Sequence, residues 1–288
     1  MARTFPTLAS LLVLLSAGVP AACQSDVQRS ADHVYRIVTI AEGLANPWSI
    51  AFLPEGDMLV TERAGRLRVV RDGVLLPDAV SGVPEVLAEG QGGLLDVAPH
   101  PDFASNRLLY LTYSKPLEDG STTALVRGRY EGGRLTEVEE LFEAASRGRG
   151  HYGSRLAFDG NGYRFMTIGD RLASPRGYLE AHPAQDPSNH HGVKIRLHDD
   201  GRVPADNHFV GQTGARPEIW SYGHRNPQGM AFHPESGDLW LNEHGPQGGD
   251  ELNLISPGLN YGWPVVGYGV NYGSGSAIHE GTHREGME

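Results

Sequence analysis

The sequence predicts an all-β protein built as a β-propeller, with about four blades present. Three observations carry this. One apolar hairpin pattern recurs four times along the chain. Glycine and proline are abundant, 38 and 19 of 288 residues, with no collagen-like period, which points to many tight turns. No stretch beyond the N-terminal segment shows the apolar period of an amphipathic helix.

The elements follow in chain order. Leu8–Val19, "LASLLVLLSAGV", is an apolar run too short to span a bilayer comfortably. It follows Arg3 and precedes the small residues Ala21 and Ala22. Residues 1–22 therefore read as a signal peptide for export to the periplasm, with no transmembrane segment. Cys23, the only cysteine, cannot form an internal disulfide. Its place after Ala22 raises lipid anchoring, although Pro20 stands where a lipoprotein signal usually has an aliphatic residue. Residues 23–33 read as a polar tether, and 34–288 as the propeller domain.

The recurring hairpins are Ile50–Arg63, Leu95–Ser114, Leu156–Arg171 and Met230–Gly245. Each joins two apolar strands through a turn rich in Gly, Pro, Asp or Asn. Further strands are expected in Arg66–Gly73, Thr123–Gly133, Lys194–Pro204 and Glu251–Gly258. A hairpin plus one or two strands, repeated, is the pattern of a propeller blade. A β-sandwich is the structural rival, but it has no need of the same hairpin four times. The net charge of −11 argues against nucleic acid and anionic lipid as partners.

Chemistry in a propeller gathers on loops at the channel mouth, and four polar clusters follow or precede the hairpins. Gln91 lies in "EGQGGLLD", where glycines permit close approach to the backbone. His151 lies among glycines in "GRGHYGSRLAF", placed for a base that works near neutral pH. Asp170 ends the third hairpin in "TIGDR", as a turn cap or a channel residue. Arg225 and Asn226 precede the fourth hairpin in "SYGHRNPQGMAF"; arginine offers a planar fork of donors for oxyanions. Taken singly, each is also consistent with a solvated loop residue.

The stretch Asn242–Asn253, "NEHGPQGGDELN", combines carboxylates with turn-forming glycine and proline. Hard oxygens of that kind suit calcium, and the absence of cysteine and of closely paired histidines disfavours zinc. By composition alone, a calcium loop and a solvated acidic turn remain equal readings.

The motifs "GQGGLLDVAPHPDF", "GDR", "GHRNPQGMAF", "EHGPQGGDELNLI" and "NYGWP", in this order from Gly90 to Pro264, carry a resemblance that no single one carries. From about Tyr35 onward the chain resembles the soluble quinoprotein glucose/sorbosone dehydrogenases, in particular the periplasmic aldose sugar dehydrogenases. The resemblance implies a six-bladed propeller holding pyrroloquinoline quinone (PQQ) and Ca²⁺ at the channel mouth. It implies oxidation of the anomeric hydroxyl of an aldose to the lactone by hydride transfer to PQQ, with electrons leaving to an external acceptor. By the same resemblance, His151 is the general base, and Arg225 assists catalysis while contacting PQQ with Asn226. Gln91 and Asp170 line the quinone and substrate site. The carbonyls of Gly245 and Pro246 hold the calcium at the quinone, and Glu251 and Tyr261 hold a second, structural calcium.

Two departures from the family pattern stand out. Glucose-type members carry an aspartate where this chain has Gly150, which leaves His151 without that orienting partner and favours the broader aldose branch. Members also continue for about two more blades beyond the position of Glu288, so a C-terminally truncated member is expected. The rival functions are a non-catalytic extracellular binding propeller and a calcium-dependent lactonase-type propeller. The motif "GHRNPQG" speaks against the lactonase.

Overall fold

The computed structural model describes residues 27–288. The expected signal segment and Cys23 lie outside the described residues. The described residues divide into two compact units, 27–40 and 41–288. In the first, β1 (Val27–Arg29) and β2 (Val34–Arg36) form an antiparallel hairpin.

The second unit is a set of four consecutive antiparallel sheets, each a propeller blade. Blade 1 is β3 (Pro47–Phe52), β4 (Met58–Glu62), β5 (Arg66–Arg71) and β6 (Val74–Leu75). Blade 2 is β7 (Leu94–Pro99), β8 (Leu108–Leu117), β9 (Gly120–Tyr130) and β10 (Leu135–Glu143). Blade 3 is β11 (Leu156–Phe158), β12 (Arg164–Ile168), β13 (Val193–Leu197) and β14 (Ile219–Ser221). Blade 4 is β15 (Pro227–Phe232), β16 (Leu239–Glu243) and β17 (Glu251–Leu254). The four recurring hairpins of the sequence are β3–β4, β7–β8, β11–β12 and β15–β16, each paired strand to strand.

The core lies between blades rather than at one centre. Successive side chains on a strand point to opposite faces, and in β8 this divides them cleanly. Leu109, Leu111 and Tyr113 pack with Leu59, Leu67 and Val69 of blade 1. Tyr110, between them, packs with Met166, Val193 and Ile195 of blade 3. Phe165 of β12 turns the other way and meets Met230, Leu239 and Leu241 of blade 4. The two inner sheets, blades 2 and 3, are thus buried on both faces by their neighbours, which suits their near-continuous apolar runs. Blades 1 and 4 each leave one face exposed, with Ile50 and Phe52 on the first and Trp240, Leu252 and Leu254 on the fourth.

The first strands of successive blades adjoin one another, β3 with β7, β7 with β11 and β11 with β15. A polar hub joins them. Asp96 on β7 accepts hydrogen bonds from Ser49 Oγ at 2.6 Å and Arg155 Nη1 at 2.9 Å through Oδ1, and from Leu156 N at 2.7 Å through Oδ2. Arg155 Nε donates in turn to the Gln228 carbonyl at 3.0 Å. One carboxylate and one guanidinium therefore tie all four blades together. Burial pushes the Asp96 pKa up, while Arg155, Ser49 and two backbone N–H groups act against that rise.

Candidate active site

The loop between blades 2 and 3 brings His151 to the mouth of this assembly. Glycines let it approach other backbone closely. A Cβ on Gly169 would lie 2.2 Å from the His151 carbonyl, and one on Gly153 would lie 2.8 Å from that of Thr167. His151 itself has φ 44°, a left-handed conformation that a non-glycine residue adopts only when its surroundings hold it. Here Gln91 Oε1 accepts its backbone N–H at 2.7 Å, and Asp170 Oδ1 lies 2.6 Å from its Nδ1.

Asp170 follows directly on β12 and its glycine. It is 1% exposed, and both oxygens are occupied. Oδ1 also accepts the Leu172 N–H at 3.0 Å, and Oδ2 accepts the Trp263 indole N–H at 2.8 Å. With Asp170 ionised, His151 carries its proton on Nδ1, which leaves Nε2 as an acceptor. The orienting partner missing at position 150 is thus supplied from position 170. A Cβ at position 150 would come within 2.3 Å of Leu172 Cδ1, so a side chain there would displace the exposed Leu172 side chain.

Arg171 braces this loop from behind. Its guanidinium stacks on Tyr152 at 3.7 Å and donates to the carbonyls of Gly150 at 2.7 Å and Gly148 at 2.6 Å. Burial holds its pKa below the usual arginine value.

His151 and Asp170 line a cleft of about 280 Å³ together with Arg225, Pro246 and Trp263. Arg225 enters from the segment before β15. Its carbonyl accepts the Asp170 N–H at 2.7 Å, which sets the two residues side by side. Its Nη1 donates to the carbonyls of Gly245 at 2.5 Å and His244 at 2.8 Å. Its backbone N–H is held by Glu243 Oε2 at 2.5 Å.

Glu243 is the buried anchor beneath. Its Oε1 pairs with His224 Nδ1 at 2.8 Å, and His224 Nε2 lies 2.9 Å from Ser221 Oγ. Glu243 faces Glu251 directly across β16 and β17. The Asn253 amide lies between them, at 3.1 Å from Glu243 Oε1 and 3.2 Å from Glu251 Oε2. Burial first, and the charge of Glu243 second, push the Glu251 pKa up to about 7.

The oxygen-rich loop fits a hard cation. Among the described residues no group of three or more His, Cys, Asp or Glu side chains is arranged to hold a metal, so a cation here would depend on main-chain carbonyls as well as carboxylates. The Gly245 carbonyl already attracts a positive group, the Arg225 guanidinium. Asp250 Oδ1 fixes the turn by accepting the Gly245 N–H at 2.9 Å. Glu251 lines one hollow with Gly245 and Pro246 and another with Tyr261. The Tyr261 hydroxyl is committed, donating to the Leu254 carbonyl at 2.7 Å and accepting the Ser256 N–H at 3.0 Å. Its main-chain carbonyl is the oxygen left to serve a cation.

A family model described as Glucose / Sorbosone dehydrogenase matches residues 44–288. The chain belongs to the glucose/sorbosone dehydrogenase family. Within it, the aldose sugar dehydrogenase YliI of Escherichia coli strain K12 is 45% identical over 269 residues, covering 91% of this chain and 70% of that protein. The structure of the soluble aldose sugar dehydrogenase from Escherichia coli in the apo-form matches with a TM-score of 0.80 at 44% identity, covering 85% of this chain and 71% of that one. The PQQ-bound aldose sugar dehydrogenase from Streptomyces coelicolor matches with a TM-score of 0.70 at 32% identity, covering 83% and 68%. The chain spans 52% to 70% of the length of three curated relatives.

In this glucose/sorbosone dehydrogenase chain, the expected site residues fall into two groups. His151, Asp170, Arg225 and Pro246 share the cleft, with Gly245 and Glu251 adjoining. Gln91 and Asn226 support it from outside. Gln91 spends its carbonyl oxygen on the His151 N–H, and buried Asn226 offers its Oδ1 to the Gly153 N–H at 3.3 Å. Sequence reasoning gives no role to Trp263, Arg171, Ser221 or His224, although each lies inside a quoted motif, "NYGWP", "TIGDR" or "SYGHRNPQGMAF", and it reads Glu243 only as one carboxylate of the Asn242–Asn253 stretch.

Proposed function

We propose that this protein oxidises the anomeric hydroxyl of aldose sugars to the lactone, using PQQ and Ca²⁺, after export to the periplasm. The observation that carries the reading is the His151–Asp170 pair at 2.6 Å, with His151 opening on the same cleft as Arg225. His151 Nε2 accepts the proton of the anomeric hydroxyl, and Asp170 stabilises the charge that develops on the ring. Arg225 would supply a fixed positive group beside the bound quinone, favouring negative charge there. The carbonyls of Gly245 and Pro246 would hold one calcium, and Glu251 with Tyr261 a second. When bound, the quinone supplies the two-electron acceptor and the calcium beside it a Lewis acid. Gln91 and Asn226 keep the His151 loop in its left-handed turn.

Export rests on the apolar Leu8–Val19 run before Ala21 and Ala22; among the described residues no helix is long and apolar enough to cross a membrane. The test is titration of the purified, metal-stripped protein with PQQ and Ca²⁺, followed by absorbance and by reduction of an artificial acceptor with aldoses. Saturable quinone binding with sugar-dependent reduction supports the reading. Absence of quinone binding with Ca²⁺ present defeats it, and would favour a binding propeller.

A further inference from the structure

We infer that Trp263 is a positioning residue for the proton-accepting step, acting on His151 through Asp170. The inference rests on the reading of His151 as the base. The Asp170 carboxylate has one oxygen committed to His151 and the Leu172 N–H, and the other committed to the Trp263 indole alone. A buried carboxylate oxygen without a donor carries a full desolvation penalty. Without the indole N–H, the carboxylate turns to seek another donor, and the plane that holds the imidazole turns with it.

Trp263 is built to be immobile. Its backbone N–H donates to the Gly223 carbonyl at 2.8 Å, and its own carbonyl accepts from Gln185 Nε2 at 2.7 Å. Gln185 is locked by a second amide, since Asn260 Nδ2 donates to Gln185 Oε1 at 2.7 Å. The edges of His182 and His279 pack on the indole at 6.1 and 5.5 Å between centroids. The ring is 6% exposed.

The same indole also faces Arg225, whose guanidinium carbon lies 5.3 Å from the ring centroid. One rigid side chain, arriving from 93 residues beyond Asp170, thus touches both the acid that orients the base and the cation on the other side of the cleft. It sets the spacing between them. The other charged or titratable groups around Asp170 are Arg171, His182 and His191; none of them donates to Oδ2.

Trp263→Phe separates the two contacts, because it keeps an aromatic face for Arg225 and removes only the N–H. Turnover with saturating quinone and Ca²⁺ should fall roughly 10-fold to 100-fold, the usual worth of a partner that orients a working side chain. The KM for sugar and the affinity for quinone should stay within about twofold of the parent protein. In the quinone-free protein, ¹⁵N spectra should show His151 as the Nδ1–H tautomer, and a mixture of tautomers in Trp263→Phe. Unchanged turnover and tautomer overturn the inference. Loss of quinone binding in Trp263→Phe overturns it too, since the residue would then be structural. If the variant does not fold, hydrogen exchange in the parent protein decides. The Trp263 indole N–H should be strongly protected, whereas exchange as fast as that of the more exposed Trp240 indole refutes the contact. Full turnover in His151→Ala would instead remove the underlying reading, and the inference with it.

Discussion

The imidazole of His151 and the carboxylate of Asp170 meet at 2.6 Å in a buried pocket wall, one from a glycine-rich loop and the other from the end of β12. The pair is closed on every side but one. Gln91, Leu172 and Trp263 take the remaining polar positions around it, and Nε2 is left for a ligand in the cleft.

Replacing either partner should therefore act on rate. Asp170→Asn and His151→Ala are each expected to lower turnover by about 10²–10⁴-fold with quinone binding largely retained. The double variant should be little worse than His151→Ala alone, because the two residues act as a unit. Steady-state kinetics with saturating PQQ and Ca²⁺ check this; additive losses would show two separate roles.

Arg225 should show a split effect. Its Nη1 donates to the carbonyls of Gly245 and His244, and the Gly245 carbonyl is one of the two proposed to hold a cation. Arg225→Ala should bind Ca²⁺ several-fold more tightly in the quinone-free protein, yet bind PQQ more weakly. Calorimetric titration with Ca²⁺ and absorbance titration with PQQ measure the two. Calcium affinity unchanged from the parent would place the ion away from those carbonyls.

Calcium should stabilise the fold by relieving the Glu243–Glu251 repulsion. Thermal melting in excess chelator should occur below that in Ca²⁺. Glu251→Gln is expected to raise the melting temperature of the metal-free protein and to lose much of the calcium response. A parent protein that melts alike in chelator and in calcium has no structural ion at this site.

Acid should destabilise the protein before most carboxylates titrate. Burial, the largest cause, holds the pKa of His191 down to about 4 and lowers those of His182 and His190 as well. The unfolded chain takes up these protons as pH falls below about 6.5, whereas folded His191 resists until about 4. The stability due to the neutral form is complete above 6.5 and is lost as pH falls from there toward 4. Denaturant unfolding between pH 7.5 and 4.5 in saturating Ca²⁺ should show this slope, and His191→Gln should make it shallower.

The hub should matter for stability rather than chemistry. Asp96→Ala leaves Arg155, Ser49 and the Leu156 N–H without their acceptor, and should cost about 3 kcal/mol or more. Chemical denaturation reads the loss directly. A change below about 0.5 kcal/mol would mean that the blades hold together by apolar packing alone.

What the sequence determined by itself is the local pattern. Strand, turn and strand are set by neighbours, so the four hairpins were readable, including the near-continuous apolar run of β8 within Leu95–Ser114. β10 escaped notice for an equally physical reason. It is the outer edge strand of its blade, with residues Glu137–Glu140 exposed, and charge on an edge hides the strand pattern while guarding against aggregation. The motifs around Gln91, His151, Arg225 and Glu251 named residues of the site but not their partners. Only the tertiary structure set Asp170 against His151, Trp263 against Asp170 and Arg225 against the Gly245 carbonyl. These contacts join residues 19, 93 and 20 positions apart. They exist because the blades pack face to face around one axis, and that packing brings distant strand ends to the same mouth.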